Sequence, residues 1–159
     1  MLRVGIISDT HGLLRPEAKA FLEGCHRIVH GGDIGHAGIL EELGAIAPVT
    51  AVRGNNDLGP WADAVRSTEL LDVGAVRLYA IHDLARIDIE PVAAGVRVVV
   101  SGHSHRALVA ERDGVLFVNP GSAGPRRFKL PVSIAELIIG SDGALSARTV
   151  ELDVDASRV

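Results

Sequence analysis

Aromatic side chains are nearly absent from this chain: Phe, Tyr and Trp make up 3% of its 159 residues, although 47% are apolar. Its core must therefore be built from Val, Ile, Leu and Ala, and little is left on which nucleic-acid bases could stack. Cys25 is the only cysteine, so no intrachain disulfide can form, and a reducing compartment fits. No apolar run approaches the roughly 20 residues of a membrane-spanning helix. The opening apolar stretch reaches Ser8-Asp9 too soon to act as a signal peptide, and the expected location is the cytoplasm. No Lys/Arg-rich block offsets a net charge of -4. That excludes a membrane from the expected partners and argues more weakly against nucleic acid. A chain of this length is expected to form a single domain, 1–159, burying about two-thirds of its unfolded surface.

Metal-ligating side chains are what it does have. Five short pieces run in order along it: Asp9-Thr10-His11, Gly32-Asp33, Gly54-Asn55-Asn56-Asp57, His82 and Gly102-His103-Ser104-His105. Asp9, Asp33, Asn55 and the imidazoles of His11, His82, His103 and His105 are the donors that borderline and hard divalent metals accept, with no thiolate among them. So many donors suit two ions better than one, provided a carboxylate is shared. Asp33 suits that role because a carboxylate has two oxygens.

The apolar pattern places these pieces. Runs at 2–7, 27–30 and 49–52 read as buried strands, with helices expected at 16–23 and 37–46; Pro16 fits a helical first turn and Gly24 a stop. Strand, functional loop and helix repeat in that order, the signature of an α/β layered domain with its site at the carboxyl ends of the strands. Beyond that the rhythm changes. Strands are expected at 67–73 and 76–82 around Gly74-Ala75, then a helix at 88–94 and a buried strand at 96–100. Further strands flank Asp113-Gly114, a hairpin signal, and occupy 132–139 and 144–152.

Each piece also has a bland explanation. Asp9 and His11, at i and i+2 of an extended segment, would point to one side, yet Asp9 could equally cap the following helix. Asp33 could be turn chemistry, and His82 a buried histidine bonded to backbone. His103 and His105, directly after a Val-Val-Val strand, are more specific. His30 suits a hydrogen-bonded core position, His26 and His36 the surface, and Cys25 a small buried hydrophobe. Arg126 and Arg127 could meet a phosphate or simply be exposed loop residues, and Trp61 could wall the site or anchor its loop.

Taken together, the five motifs in register, with the Asn119-Pro120-Gly121-Ser122 turn behind them, resemble the calcineurin-like metallophosphoesterase superfamily, over about residues 1–140. Within it they look like the small single-domain bacterial and archaeal phosphodiesterases. The resemblance implies a four-layer αββα sandwich of two mixed sheets flanked by helices. It implies that Asp9, His11 and His105 hold one metal, Asn55, His82 and His103 a second, and that Asp33 bridges them. Manganese stands first among Mn, Fe, Zn, Ni and Co. The implied reaction is hydrolysis of a small-molecule phosphodiester by a metal-bridging hydroxide, with an oligomer possible.

Two positions depart from the family pattern. Where many members carry a His after the ligand Asn, this chain has Asn56, whose amide can donate a hydrogen bond but not a proton. Asn56 and Asp57 are therefore the candidate catalytic positions beside the ligands, with Asp57 free to fix the loop. Asp83 follows His82 where a Gly is usual, and is best explained as a turn cap. The alternative function is a non-catalytic metal-binding scaffold or interaction module, as the same fold provides in the eukaryotic retromer coat.

Overall fold

Continuous apolar runs are strands buried on both faces, and β1 (Leu2–Ile7) is the first of them in a computed structural model that describes residues 1–127 and 129–154. Val4 and Ile6 face a second sheet while Ile7 faces helices, as a period of two requires. β2 (Arg27–His30) and β3 (Val49–Ala51) lie parallel to β1, and β9 (Ser133–Ile139) and β10 (Leu145–Glu151) extend the other edge antiparallel, in the order β10-β9-β1-β2-β3. The second five-stranded sheet comprises β4 (Thr68–Val73), β5 (Val76–Ile81), β6 (Val96–Val100), β7 (Leu108–Arg112) and β8 (Val115–Asn119). Its order is β4-β5-β6-β8-β7, with β5, β6 and β8 parallel.

The core between the sheets is aliphatic, with Val4, Ile6 and Val29 meeting Leu78, Val98 and Val100. Two short helices, α1 (Pro16–Leu22) and α2 (Ala37–Gly44), cover the outer face of the first sheet through Ala18, Leu22, Ile39 and Leu43. Each such Leu or Ile contributes about 1.5–3 kcal/mol by leaving water. Among the described residues no helix is long and apolar enough to cross a membrane.

The fourth layer differs from expectation. No helix forms at 88–94; the outer face of the second sheet is covered by a 3₁₀ turn, Leu84–Arg86, and an irregular segment. Pro91 lacks the donor a helix interior needs and disfavours helical backbone at Glu90. Ile87 and Ile89 instead pack two residues apart against the Tyr79, Ile81 and Val99 cluster. The architecture is an α/β fold of two mixed five-stranded sheets with few helices. One further helical turn, α3 (Pro60–Asp63), escaped the sequence pattern because it is a single turn led by proline.

Candidate metal centre

Ligand-bearing loops follow β1, β2, β3, β5 and β6, and backbone hydrogen bonds join them. Asp9 N–H donates to the Gly32 carbonyl at 2.9 Å, His11 N–H to that of Asp33 at 2.9 Å, and Gly102 N–H to that of His82 at 2.9 Å. The glycines that open these motifs have a packing reason. A Cβ on Gly54 would lie 2.2 Å from Asp33 Oδ1, and one on Gly102 would lie 2.6 Å from Asp9 Oδ2. Any side chain there would displace a candidate ligand.

The backbone of the ligands themselves is strained. Asp9, His11, Asp33, His103 and His105 have φ of 55°, 46°, 56°, 71° and 61°. Among the described residues the one other non-glycine with positive φ is Asp113, in the expected β7–β8 hairpin turn. Asp9 and His11 thus converge through left-handed turns and not, as expected, by alternating along an extended segment. Such outliers persist only where surrounding structure holds them, and they concentrate at functional sites.

Asp9 is fully buried. Its Oδ2 accepts from Ser8 Oγ at 2.6 Å and from His103 N–H at 3.1 Å. Its Oδ1 has no hydrogen-bond partner among the described residues, yet lies 3.3 Å from His105 Nε2 and 3.9 Å from His11 Nε2. His11 Nε2 is buried and likewise without a hydrogen bond among the described residues. A buried carboxylate oxygen left unpaired costs several kcal/mol, on the order of the effective penalty for an uncompensated ion. A cation removes that cost, so the donor set of Asp9, His11 and His105 fits a divalent metal.

A second group joins it. Asp33 Oδ2 lies 3.7 Å from His11 Nε2 and 3.3 Å from His82 Nε2, so Asp33 faces both groups. Asp9, Asp33 and His82 can also hold an ion together. His82 Nδ1 is 2.7 Å from the Gly31 carbonyl, which can only accept, so that nitrogen carries the proton. A neutral His82 then points its Nε2 lone pair at Asn55 Oδ1, 3.0 Å away, and at Asp33. Only a proton or a metal ion makes this approach favourable. Burial opposes charge on His82, but Asp33, Asp9 and the Gly31 carbonyl outweigh it and raise its pKa above 6.5. Burial would likewise raise the Asp33 pKa, but His82 and the Asn56 amide outweigh it and hold the carboxyl at about 2. His103 Nδ1 also approaches Asn55 Oδ1, at 3.2 Å, and both residues are exposed. All seven expected ligands thus gather at the carboxyl ends of the strands.

The neighbouring residues are supports. Asp57, expected beside the catalytic groups, is buried and spends its carboxylate on backbone: Oδ1 accepts from Ile34 and Gly35 N–H at 2.8 and 3.0 Å, and Oδ2 from Gly54 N–H at 2.8 Å. Asn56 donates to Asp33 from its backbone, at 2.9 Å, and from its side chain, at 3.2 Å. Fully buried His30 accepts from Gly32 N–H at Nδ1, 3.0 Å, so its Nε2 donates to Thr10 Oγ1, 3.0 Å, which in turn donates to the Ile34 carbonyl, 2.8 Å. Burial outweighs nearby carboxylates and pushes its pKa down to about 4. Asp83 caps the 3₁₀ turn through Ala85 N–H, 3.1 Å.

Trp61 packs against the helix-side core, and the exposed apolar residue of its loop is Leu58. Arg126 and Arg127 are exposed. Two organisers were not foreseen. Asn119 donates to the Gly102 carbonyl at 3.0 Å and Ser104 Oγ at 3.1 Å, and Ser122 Oγ donates to the Asp9 carbonyl at 3.0 Å. Only their place in an Asn-Pro-Gly-Ser turn, far along the chain, hinted at this.

Residues 2–142 match the calcineurin-like phosphoesterase superfamily domain. A relative named "Probable metallophosphoesterase" in Methanothermobacter thermautotrophicus is 34% identical over 132 residues, covering 75% of this chain and 76% of its own length. An archaeal phosphodiesterase structure superposes with a TM-score of 0.75 at 22% identity, over 94% of this chain and 100% of that one. Wild-type Vps29 from Entamoeba histolytica, crystallised with Zn²⁺, gives 0.71 at 22% identity, over 94% of this chain and 99% of that one. These last two likenesses concern the fold, whereas the domain match and the archaeal relative establish descent: the chain belongs to the calcineurin-like phosphoesterase superfamily.

Proposed function

We propose that the chain is a metal-dependent phosphodiesterase acting at this centre. The observation that carries the reading is Asp9: fully buried, one oxygen held by two donors, the other unpartnered and facing two imidazoles. Asp9, His11 and His105 would hold one divalent cation, Asn55, His82 and His103 a second, and Asp33 would be shared. Bound there, such ions supply Lewis acidity, attraction for a phosphate anion and a water acidified toward neutral pH.

The chain's own residues set the rest. Gly31 fixes the His82 tautomer through its carbonyl, and Asp57 fixes the Asn55-Asn56 loop against the loop after β2. Asn56, whose amide reaches Asp33, can donate a hydrogen bond to a phosphoryl oxygen. Hydrolysis joins the oxygen of water to phosphorus, breaks the bond from phosphorus to the leaving alcohol and must return a proton to that alcohol. An amide at position 56 cannot supply it. The site therefore favours diesters with good leaving groups over alkyl monoesters.

The phosphodiesterase fold neighbour and the zinc-bearing one support the reading. Manganese is the first metal to try, with iron, zinc, nickel and cobalt after it. The test is hydrolysis of a bis-aryl phosphodiester by metal-stripped protein titrated with Mn²⁺, beside Asp33→Ala. Activity should appear with metal and vanish in the variant. Metal binding without hydrolysis under any of these ions would favour the scaffold function instead.

A further inference from the structure

His103 and Asp83 stand between two cavities of similar size and unlike chemistry. One, of about 540 Å³, opens over the outer end of the second sheet and is walled by Leu84, Ala107, Leu108, Phe117 and Val118. Leu108 is 59% exposed there, one of five exposed large apolar side chains among the described residues and the one that lines this cavity. The wall also carries Ser101, Ser104 and the cation Arg106, and its Asn119 amide is already committed to Gly102 and Ser104. The other cavity, of about 560 Å³, contains Asn55 and His82 and is walled by Arg53, Ser67, Thr68, Arg86 and Asp88.

The charges of the second cavity balance: Arg53 and Arg86 against Asp83 and Asp88. Each has capacity left for a ligand. Asp83 and Asp88 each accept one protein hydrogen bond at Oδ1, from Ala85 N–H and Tyr79 Oη, fewer than a carboxylate can take. Arg86 has no ion-pair partner among the described residues. Alternating donors and acceptors without net charge suit hydroxyl groups. For a second phosphate the attraction of Arg53 and Arg86 is offset by Asp83 and Asp88, and a nucleobase would find no Phe, Tyr or Trp among the described wall residues, only the candidate-ligand imidazoles of His82 and His103.

A phosphodiester has two arms, and the candidate centre opens into two cavities. We propose that the substrate is an unsymmetrical phosphodiester joining a polyhydroxylated alcohol, seated between Arg53 and Arg86, to an apolar alcohol seated on Leu108 and Phe117. This rests on the phosphodiesterase reading and narrows it to a substrate class. It also assigns Arg86 and Leu108 to specificity, each for one arm only.

The experiment is calorimetric titration of the Mn²⁺-loaded protein with two single-arm probes, hexyl phosphate and glucose 1-phosphate. Wild type, Leu108→Ser and Arg86→Ala are compared. Both changes lie on exposed side chains, so folding should survive. Leu108→Ser should weaken hexyl phosphate about fivefold relative to glucose 1-phosphate, the scale of losing one or two methylene contacts. Arg86→Ala should weaken glucose 1-phosphate about tenfold relative to hexyl phosphate, the scale of a charged hydrogen bond. Equal changes for both probes in both variants overturn the proposal, as does tighter binding of a sugar bisphosphate than of the monophosphate. Hydrolysis of a bis-aryl diester by the wild-type protein is scored separately. If it proceeds while the probes fail to discriminate, the phosphodiesterase stands and the two-arm substrate falls.

Discussion

The two halves of the candidate centre are written in the same residue types but are physically unlike. Asp9, His11 and His105 form the inner half, in which Asp9 Oδ1, His11 Nε2 and His105 Nδ1 are buried atoms without hydrogen bonds among the described residues. Asn55, His82 and His103 form the outer half, where Asn55 Oδ1 pairs with both imidazoles and two of the three residues are exposed. The inner half is electrostatically unfinished without a cation, whereas the outer half can close on itself with a proton. On the two-ion function proposed above, this contrast predicts unequal metal affinities, with an inner ion held more tightly than an outer one.

The largest effect should come from breaking what the halves share. Asp33→Asn leaves a side chain of similar shape but removes the charge that faces His11 on one side and His82 on the other. Hydrolysis should fall by at least about 10³-fold, beyond the about 10–100-fold that loss of a supporting partner costs, and both ions should be lost. His103→Ala should remove one ion and leave the inner one in place. Metal content by elemental analysis after dialysis checks this; equal losses in both variants would abolish the distinction between the halves.

Asp57 ties the outer half to the loop after β2, and its effect should be on stability before activity. Asp57→Ala strands the N–H groups of Ile34, Gly35 and Gly54. Bonds to a charged acceptor are worth about 1.5–3 kcal/mol each, but water can reach part of this loop, so a total near 3 kcal/mol is expected in urea unfolding. A change under about 1 kcal/mol, no more than an ordinary neutral hydrogen bond, would mean the loop holds itself.

Both halves were legible as a set of residues, and the reason is local: each ligand follows a strand whose apolar run is plain, and three of the five motifs open on a glycine. The geometry that brings them together was not. Left-handed backbone at Asp9 and His11 arises from backbone bonds to Gly32 and Asp33, and no sequence period announces it. Asn119 and Ser122 act on Ser104 and Asp9 from distant positions in the chain. The expected helix at 88–94 failed because Ile87 and Ile89 met an apolar sheet face that only the tertiary fold provides.

Asn56→His would sharpen the contrast by adding an acid to the open outer half. Positioned acids contribute about 10²–10⁴-fold. An imidazole not evolved for this loop should reach the low end, about 10² for alkyl monoesters, with little gain on bis-aryl diesters. Parallel gains on both substrates would show that position 56 acts through Asp33 and not on the leaving group.

The smallest effect concerns His30, which stands behind both halves and bonds to Thr10 on one side and Gly32 on the other. Its pKa is lowered from 6.5 to about 4 in the folded chain. The unfolded chain therefore binds the extra proton across that window. The stability His30 contributes is complete above pH 6.5 and is lost as pH falls toward 4. Between pH 7 and pH 5 the loss should be about 2 kcal/mol. Metal-free His82 works in the opposite sense, since its raised pKa contributes stability at low pH that is lost as pH rises through the folded value. Asp33 enters only later, below 3.8 and toward 2. Urea unfolding of metal-free wild type and His30→Gln at pH 7 and pH 5 isolates the one contribution, because the other two are common to both proteins. The wild type should lose about 2 kcal/mol more than the variant on acidification. Equal slopes would place the acid sensitivity in the ligand clusters and leave His30 as packing alone.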